Sequence, residues 1–160
     1  MYLRWLTRTA ILLALTIAVQ MFGWPQPVTG PLVNAMLLLA CIFAGPSSGA
    51  VIGLATPLLA YARGILAPPL APMIPAIMLS NAVFVLLFWF VKKMNSRWGE
   101  FLGLLAAAVV KFLILAAAVK LVAQLPPQVA RAMQWPQLAT AIAGGLIAIA
   151  VSRALPQLKK

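Results

Sequence analysis

The chain has 160 residues, 64% of them hydrophobic and only 8% charged, with a mean hydropathy of +1.06. A soluble domain carries about 25% charged residues, so neither a water-soluble globule nor a disordered chain fits. Twelve Lys and Arg stand against one acid, Glu100, with no histidine, which removes the side chains that acid–base catalysis, metal sites and proton relays require; an enzyme, a metal centre and a bound cofactor are not expected.

Taken in chain order, the apolar runs give an all-α integral membrane protein, a single transmembrane domain with about six spans. A span needs roughly 17–25 mostly apolar residues. The first runs from about Arg8 to Trp24 and is broken by Trp24-Pro25-Gln26-Pro27, since proline removes a donor and restrains its predecessor. Arg4 and Arg8 before an apolar stretch imitate a signal peptide, but no small-x-small cleavage site follows, so this segment is expected to stay as a helix. The second span, 30–44, and the third, 48–62, are short and are separated by Gly45-Pro46-Ser47-Ser48-Gly49, where Ser47 or Ser48 is a candidate cap. Thr56-Pro57 should interrupt the third span. A re-entrant pair in place of two full spans is the alternative here.

The segment Arg63–Pro75, with Pro68, Pro69, Pro72 and Pro75, reads as a stiff loop hinged near Gly64. The fourth span is 72–91, the fifth 100–122 and the sixth 136–155. Leu125-Pro126-Pro127 closes the fifth, and Pro136 stands in the first turn of the sixth.

Six spans place Arg4, Arg8, Lys92, Lys93, Arg97, Arg153, Lys159 and Lys160 on one side, with Arg63 and Arg131 on the other and Lys120 near it. By the positive-inside rule both termini are expected to be cytoplasmic, in a multi-pass protein of the cell membrane. The basic residues are scattered among apolar runs and form no patch for nucleic acid. Cys41, the single cysteine, lies in an apolar run and reads as a core residue.

Three groups of residues stand out. Ala10, Ala14 and Ala18 recur every four residues and so share one helix face. Small residues at that spacing permit close approach of another helix, either from within the chain or from a partner. Lys111 sits near the middle of the fifth span, where a charge costs about 2.5–3.5 kcal/mol. No acid in any span can pair with it. It is either satisfied by carbonyls and water or faces a solvated cavity that receives an anion. The third group is Asn34, Thr56, Ser80, Asn81, Gln137 and Thr140. Each by itself suits an interhelical hydrogen bond. Together they lie at or outside the midplane, while the inner halves of the spans are apolar, as for a pocket open outward. Tyr61, Arg63 and Trp135 in the outer loops are placed to line or cover it.

These features resemble the substrate-binding subunit, or S component, of the energy-coupling factor (ECF) vitamin transporters. The resemblance lies in the six spans without a soluble domain and in Ala10-x-x-x-Ala14-x-x-x-Ala18. It extends to Thr29-Gly30-Pro31-Leu32-Val33-Asn34, Ala44-Gly45-Pro46 and the Gly49–Gly53 stretch. It implies that the alanine face docks on a transmembrane coupling protein driven by two cytoplasmic ATPases. It also implies a ligand held near the outside, among the last three helices and the external loops. From the residues, the candidate substrate-binding set is Lys111, Asn81, Arg63, Asn34, Trp135, Gln137 and Tyr61, for a small vitamin-like organic anion or zwitterion. The competing class is a structural membrane subunit of a cell-envelope complex, which would leave Lys111 unexplained.

Overall fold

A computed structural model describes residues 2–94, 98–121 and 125–156. Within them the elements are α1 (Tyr2–Met21), α2 (Gln26–Ala44), α3 (Pro46–Ala62), a 3-10 helix (Pro68–Met73), α4 (Ile74–Met94), α5 (Gly99–Leu121), α6 (Pro127–Ala132) and α7 (Trp135–Ala154). Five segments are long and apolar enough to cross a membrane: those of α1, α2, α4 with its 3-10 entry, α5, and α7 with α6. The helix α3, at 17 residues, sits at the short end of the spanning range.

The helices run up and down. One end of the bundle gathers the start of α1, the α2–α3 turn, the end of α4 and the start of α5. There Trp5 Nε1 donates to Ser47 Oγ (3.1 Å), and Glu100 pairs with Lys92 (2.9 Å) and Arg153 (3.0 Å), tying α4, α5 and α7. The opposite end carries the Arg63–Met73 connection and α6.

Glycine sets the helix spacing. At Gly144 an added Cβ would meet the Pro31 carbonyl oxygen and would lie 2.7 Å from Asn34 Cβ. At Gly53 it would lie 3.0 Å from Asn81 Cβ. These contacts bring α7 onto α2 and α3 onto α4, the backbone-to-backbone packing that small residues allow in a bilayer. Between them Leu37, Leu38, Cys41, Ile52, Phe84, Val85, Phe88, Leu104 and Ala107 form a fully buried apolar core. A smaller cluster at the other end joins Met73, Leu115 and Met133.

Several sequence expectations need correction. The first helix begins at Tyr2, not near Arg8, because Arg4 and Arg8 are good helix formers and nothing breaks the chain before them. It ends at Met21, with Gly23 in the left-handed region (φ 67) just beyond it. The next helix begins at Gln26, with Pro27 in its first turn. Neither Ser47 nor Ser48 caps α3: Gly45 (φ 102) occupies the cap, and Ser48 is buried against α1, where its Oγ lies 2.7 Å from Thr9 Oγ1. Pro57 does not interrupt α3, which continues to Ala62. The Arg63–Pro75 segment is not all loop, since Pro68–Met73 winds into a 3-10 helix leading into α4. The short helix α6 was not anticipated. Arg97, Val122, Lys159 and Lys160 lie outside the described residues.

Candidate functional site

The site begins with a proline. Pro57 has no N–H, so the Gly53 carbonyl one turn back loses its helical partner. Asn81 on α4 takes that carbonyl: its Nδ2 donates to Gly53 O at 3.1 Å. The bond fixes the amide so that Asn81 Oδ1 faces α5. On α2, Asn34 Nδ2 donates to Gly30 O at 3.0 Å, which aims Asn34 Oδ1 the same way. Lys111 on α5 completes the arrangement. Its Nζ donates to Asn34 Oδ1 (2.6 Å) and Asn81 Oδ1 (2.8 Å) and stands 5.2 Å from the centre of the Phe84 ring.

Lys111 is 3% exposed. Its ammonium has three protons, and two point at the asparagines. Both acceptors are neutral amides, and Glu100 is engaged at the far end of the bundle. The positive charge is thus solvated by dipoles and an aromatic face, without a counter-charge.

A cavity of about 260 Å³ opens from this group toward the end that carries the Arg63–Met73 connection. That volume is somewhat below the roughly 300–1,000 Å³ of pockets for drug-sized ligands and equals the liquid volume of about nine waters. Asn34, Asn81 and Lys111 lie at its deep end. Val33, Pro57, Ala60 and Ile77 form apolar walls, and Ile65, Leu66, Leu70 and Met133 lie nearer the mouth. The Ile65 and Leu66 amides both donate to the Ala60 carbonyl (2.9 and 3.1 Å), fastening the connection to the end of α3. Below Lys111 the Phe84 ring and the apolar core close the floor.

The structure therefore gathers four of the candidate residues around one cavity: Lys111, Asn34, Asn81 and Gln137. It does not bring in the other three. Arg63 is exposed at the end of α3, and Tyr61 is 44% exposed. Trp135, 69% exposed, packs its ring against Phe112 at 5.1 Å. Tyr61 in the last turn of α3 and Trp135 at the start of α7 belong to helices and not to the outer loops expected, and with Arg63 just past α3 they are exposed at the helix ends. Residues not anticipated also line the cavity, among them Gln20, Gln26 and Thr29. Thr56 next to Pro57 was read both as a break in the helix and as one of the polar residues facing an outward pocket, and it does line the cavity. With these residues the cavity draws on α1, α2 and α3 as much as on the last three helices.

Ala10, Ala14 and Ala18 are all exposed on the outer side of α1, whose buried contacts are made instead by Thr9 and Thr16. The alanine face does not pack within the chain. Among the described residues no three His, Cys, Asp or Glu side chains come together.

A family model described as the ECF transporter, substrate-specific component, matches residues 4–155. No curated protein and no solved structure matches the chain.

Proposed function

The chain belongs to the substrate-specific components of ECF transporters, and from that premise we propose that it captures a small vitamin-like organic anion or zwitterion, with Lys111 as the charge partner. It is a multi-pass membrane subunit that works with an ECF module. The observation that carries the ligand class is the buried ammonium held by two amide oxygens at the bottom of a cavity whose other lining residues are uncharged. A carboxylate or phosphate there would use the remaining proton and supply the missing charge. Such a bond is strengthened by its low-dielectric setting. Asn34 and Asn81, with Gln137 near the mouth, complete the polar contacts. Arg63, exposed outside the cavity, acts only as a long-range attractor for the anion.

The cavity opens to the external side in this reading, and both termini are cytoplasmic. The clustering of Arg4, Arg8, Lys92, Lys93 and Arg153 at the opposite end supports this orientation. The exposed face of Ala10, Ala14 and Ala18 is the surface for the transmembrane coupling protein, and cytoplasmic ATPases supply the energy for import. Family membership and the unpaired Lys111 favour this reading over a structural subunit of the cell envelope.

The test is purification in mild detergent, followed by mass spectrometry of the extracted small molecules. An acidic or zwitterionic compound that rebinds the emptied protein supports the proposal. A neutral or cationic ligand refutes it.

A further inference from the structure

Among the described residues, the other buried hydroxyl side chains of the helices return their protons to the backbone. Thr9 and Thr16 donate to carbonyls one turn back (both 2.7 Å), Ser80 does so at 2.9 Å and Thr140 at 3.2 Å. Thr56 is different. It is 1% exposed, it lines the cavity, and its Oγ1 has no hydrogen-bond partner. The one other buried side-chain oxygen or nitrogen without a partner among the described residues is Gln20 Oε1, which lines the same cavity. Buried polar groups are rarely left unbonded in proteins, and each exception calls for a cause. Two exceptions on two helices, both at one cavity, share one.

Their places along the bundle give the second half of the argument. Thr56 lies three residues beyond Gly53, the residue whose carbonyl holds Asn81. At 1.5 Å per residue that is about 4.5 Å toward the mouth. Gln20 is one residue from the end of α1, nearer the mouth still. Apolar walls from Val33, Pro57 and Ala60 lie alongside.

We infer that the cavity takes a bifunctional ligand, with an anionic group on Lys111 and a neutral hydroxyl or N–H group, carried outward on a short apolar body, on Thr56 Oγ1 and Gln20 Oε1. The amide oxygen of Gln20 only accepts, so the ligand group must donate. Thr56 both donates and accepts, which suits a hydroxyl or an amide. This rests on the assignment of Lys111 as the anion anchor and adds the selectivity that the anchor lacks. A lone ammonium admits any small anion. A buried hydroxyl and amide that go unpaired reject one that lacks the second group.

The probes are ω-hydroxyalkanoates and the methyl-terminated alkanoates of equal length, from butanoate to octanoate in size, titrated by calorimetry into the emptied protein in detergent. The wild type should prefer the hydroxy member by at least about tenfold at one chain length. Thr56→Val, which keeps the shape and removes the hydroxyl, should erase that preference without changing alkanoate affinity. Gln20→Leu should reduce it, and Lys111→Met should weaken both series alike. The ligand-free Thr56→Val protein should melt at or above the wild-type temperature, because no protein contact is lost. A melting temperature lowered by several degrees means that Thr56 is a structural residue and overturns the inference. Equal binding of the two series by the wild type, with Lys111→Met still weakening both, means that water suffices at Thr56. It overturns the second contact and leaves the anchor standing. Full binding of both series by Lys111→Met, or no binding of either by the wild type, removes the anchor and the bifunctional ligand together.

Discussion

Replacing Lys111 by methionine keeps the length of the side chain and removes its charge. A charge-assisted hydrogen bond contributes about 1.5–3 kcal/mol, so losing it should weaken the co-purifying anion roughly 10- to 150-fold. The effect on folding is less one-sided than a lone membrane charge suggests. Removing the charge relieves about 2.5–3.5 kcal/mol on insertion scales. It also strips the donor from Asn34 Oδ1 and Asn81 Oδ1, at about 1–3 kcal/mol for each buried oxygen left unbonded. The two sides nearly balance, so Lys111→Met should fold within a few kcal/mol of wild type. Lys111→Gln separates the effects, because it keeps a donor for the asparagines without the charge. Its stability should stay near wild type while its anion affinity falls as far as that of Lys111→Met. The assay is calorimetric titration alongside thermal unfolding in one detergent. A methyl ester of the ligand should bind wild type and both variants equally. Unchanged affinity of Lys111→Gln for the anion would refute the charge-partner reasoning.

Gly144→Ala should lower the melting temperature by several degrees and weaken ligand binding together, since the new methyl lands on the Pro31 carbonyl and on Asn34; an unchanged melting curve would show that α2 and α7 are not in backbone contact. Ala14→Leu, on the exposed face of α1, should leave ligand affinity intact and abolish co-purification with the coupling partner, and normal recovery of the complex would sink the docking surface. A disulfide between the Pro68–Met73 helix and α6, whose neighbouring residues border the cavity mouth, should slow ligand association and release by at least about tenfold if that segment moves as a gate. Equal rates before and after reduction would remove the gate.

The membrane class and the long apolar helices were legible in the sequence because the bilayer imposes its own length, whereas the short α6 and the 3-10 helix were not. The runs of Leu, Ala and Val between Pro and Gly clusters leave few other choices. Lys111, Asn34 and Asn81 were legible as single anomalies, each a polar group in an apolar run. Their meeting at one point was not, because it depends on the rotation of α2, α4 and α5 about their axes. That rotation is set by contacts such as Gly53 on Asn81 and Gly144 on Pro31. Thr56-Pro57 misled for a related reason. A proline in a strand of sequence says only that one hydrogen bond is lost. It does not say that a side chain on another helix will replace it, and here Asn81 does so and the helix runs on. Arg63, Tyr61 and Trp135 were chosen for their position in outer loops, and loop position fixes neither direction nor depth.

The same replacement ties fold to site. A membrane helix with a proline must have its freed carbonyl satisfied, since no water in the hydrocarbon region will do it. Asn81 meets that need with its amide nitrogen and is left with an amide oxygen to spare. The oxygen in turn meets the need of Lys111 for an acceptor. Each step leaves one polar group over, and the chain ends on an ammonium proton with no protein acceptor, at the bottom of a cavity. Beneath it Phe84, Val85 and Phe88 are fully buried and offer no polar step toward the other end. The free proton can therefore be satisfied only from the mouth side. A ligand taken up there would rest against a closed floor, and reaching the opposite face would require the helices themselves to move.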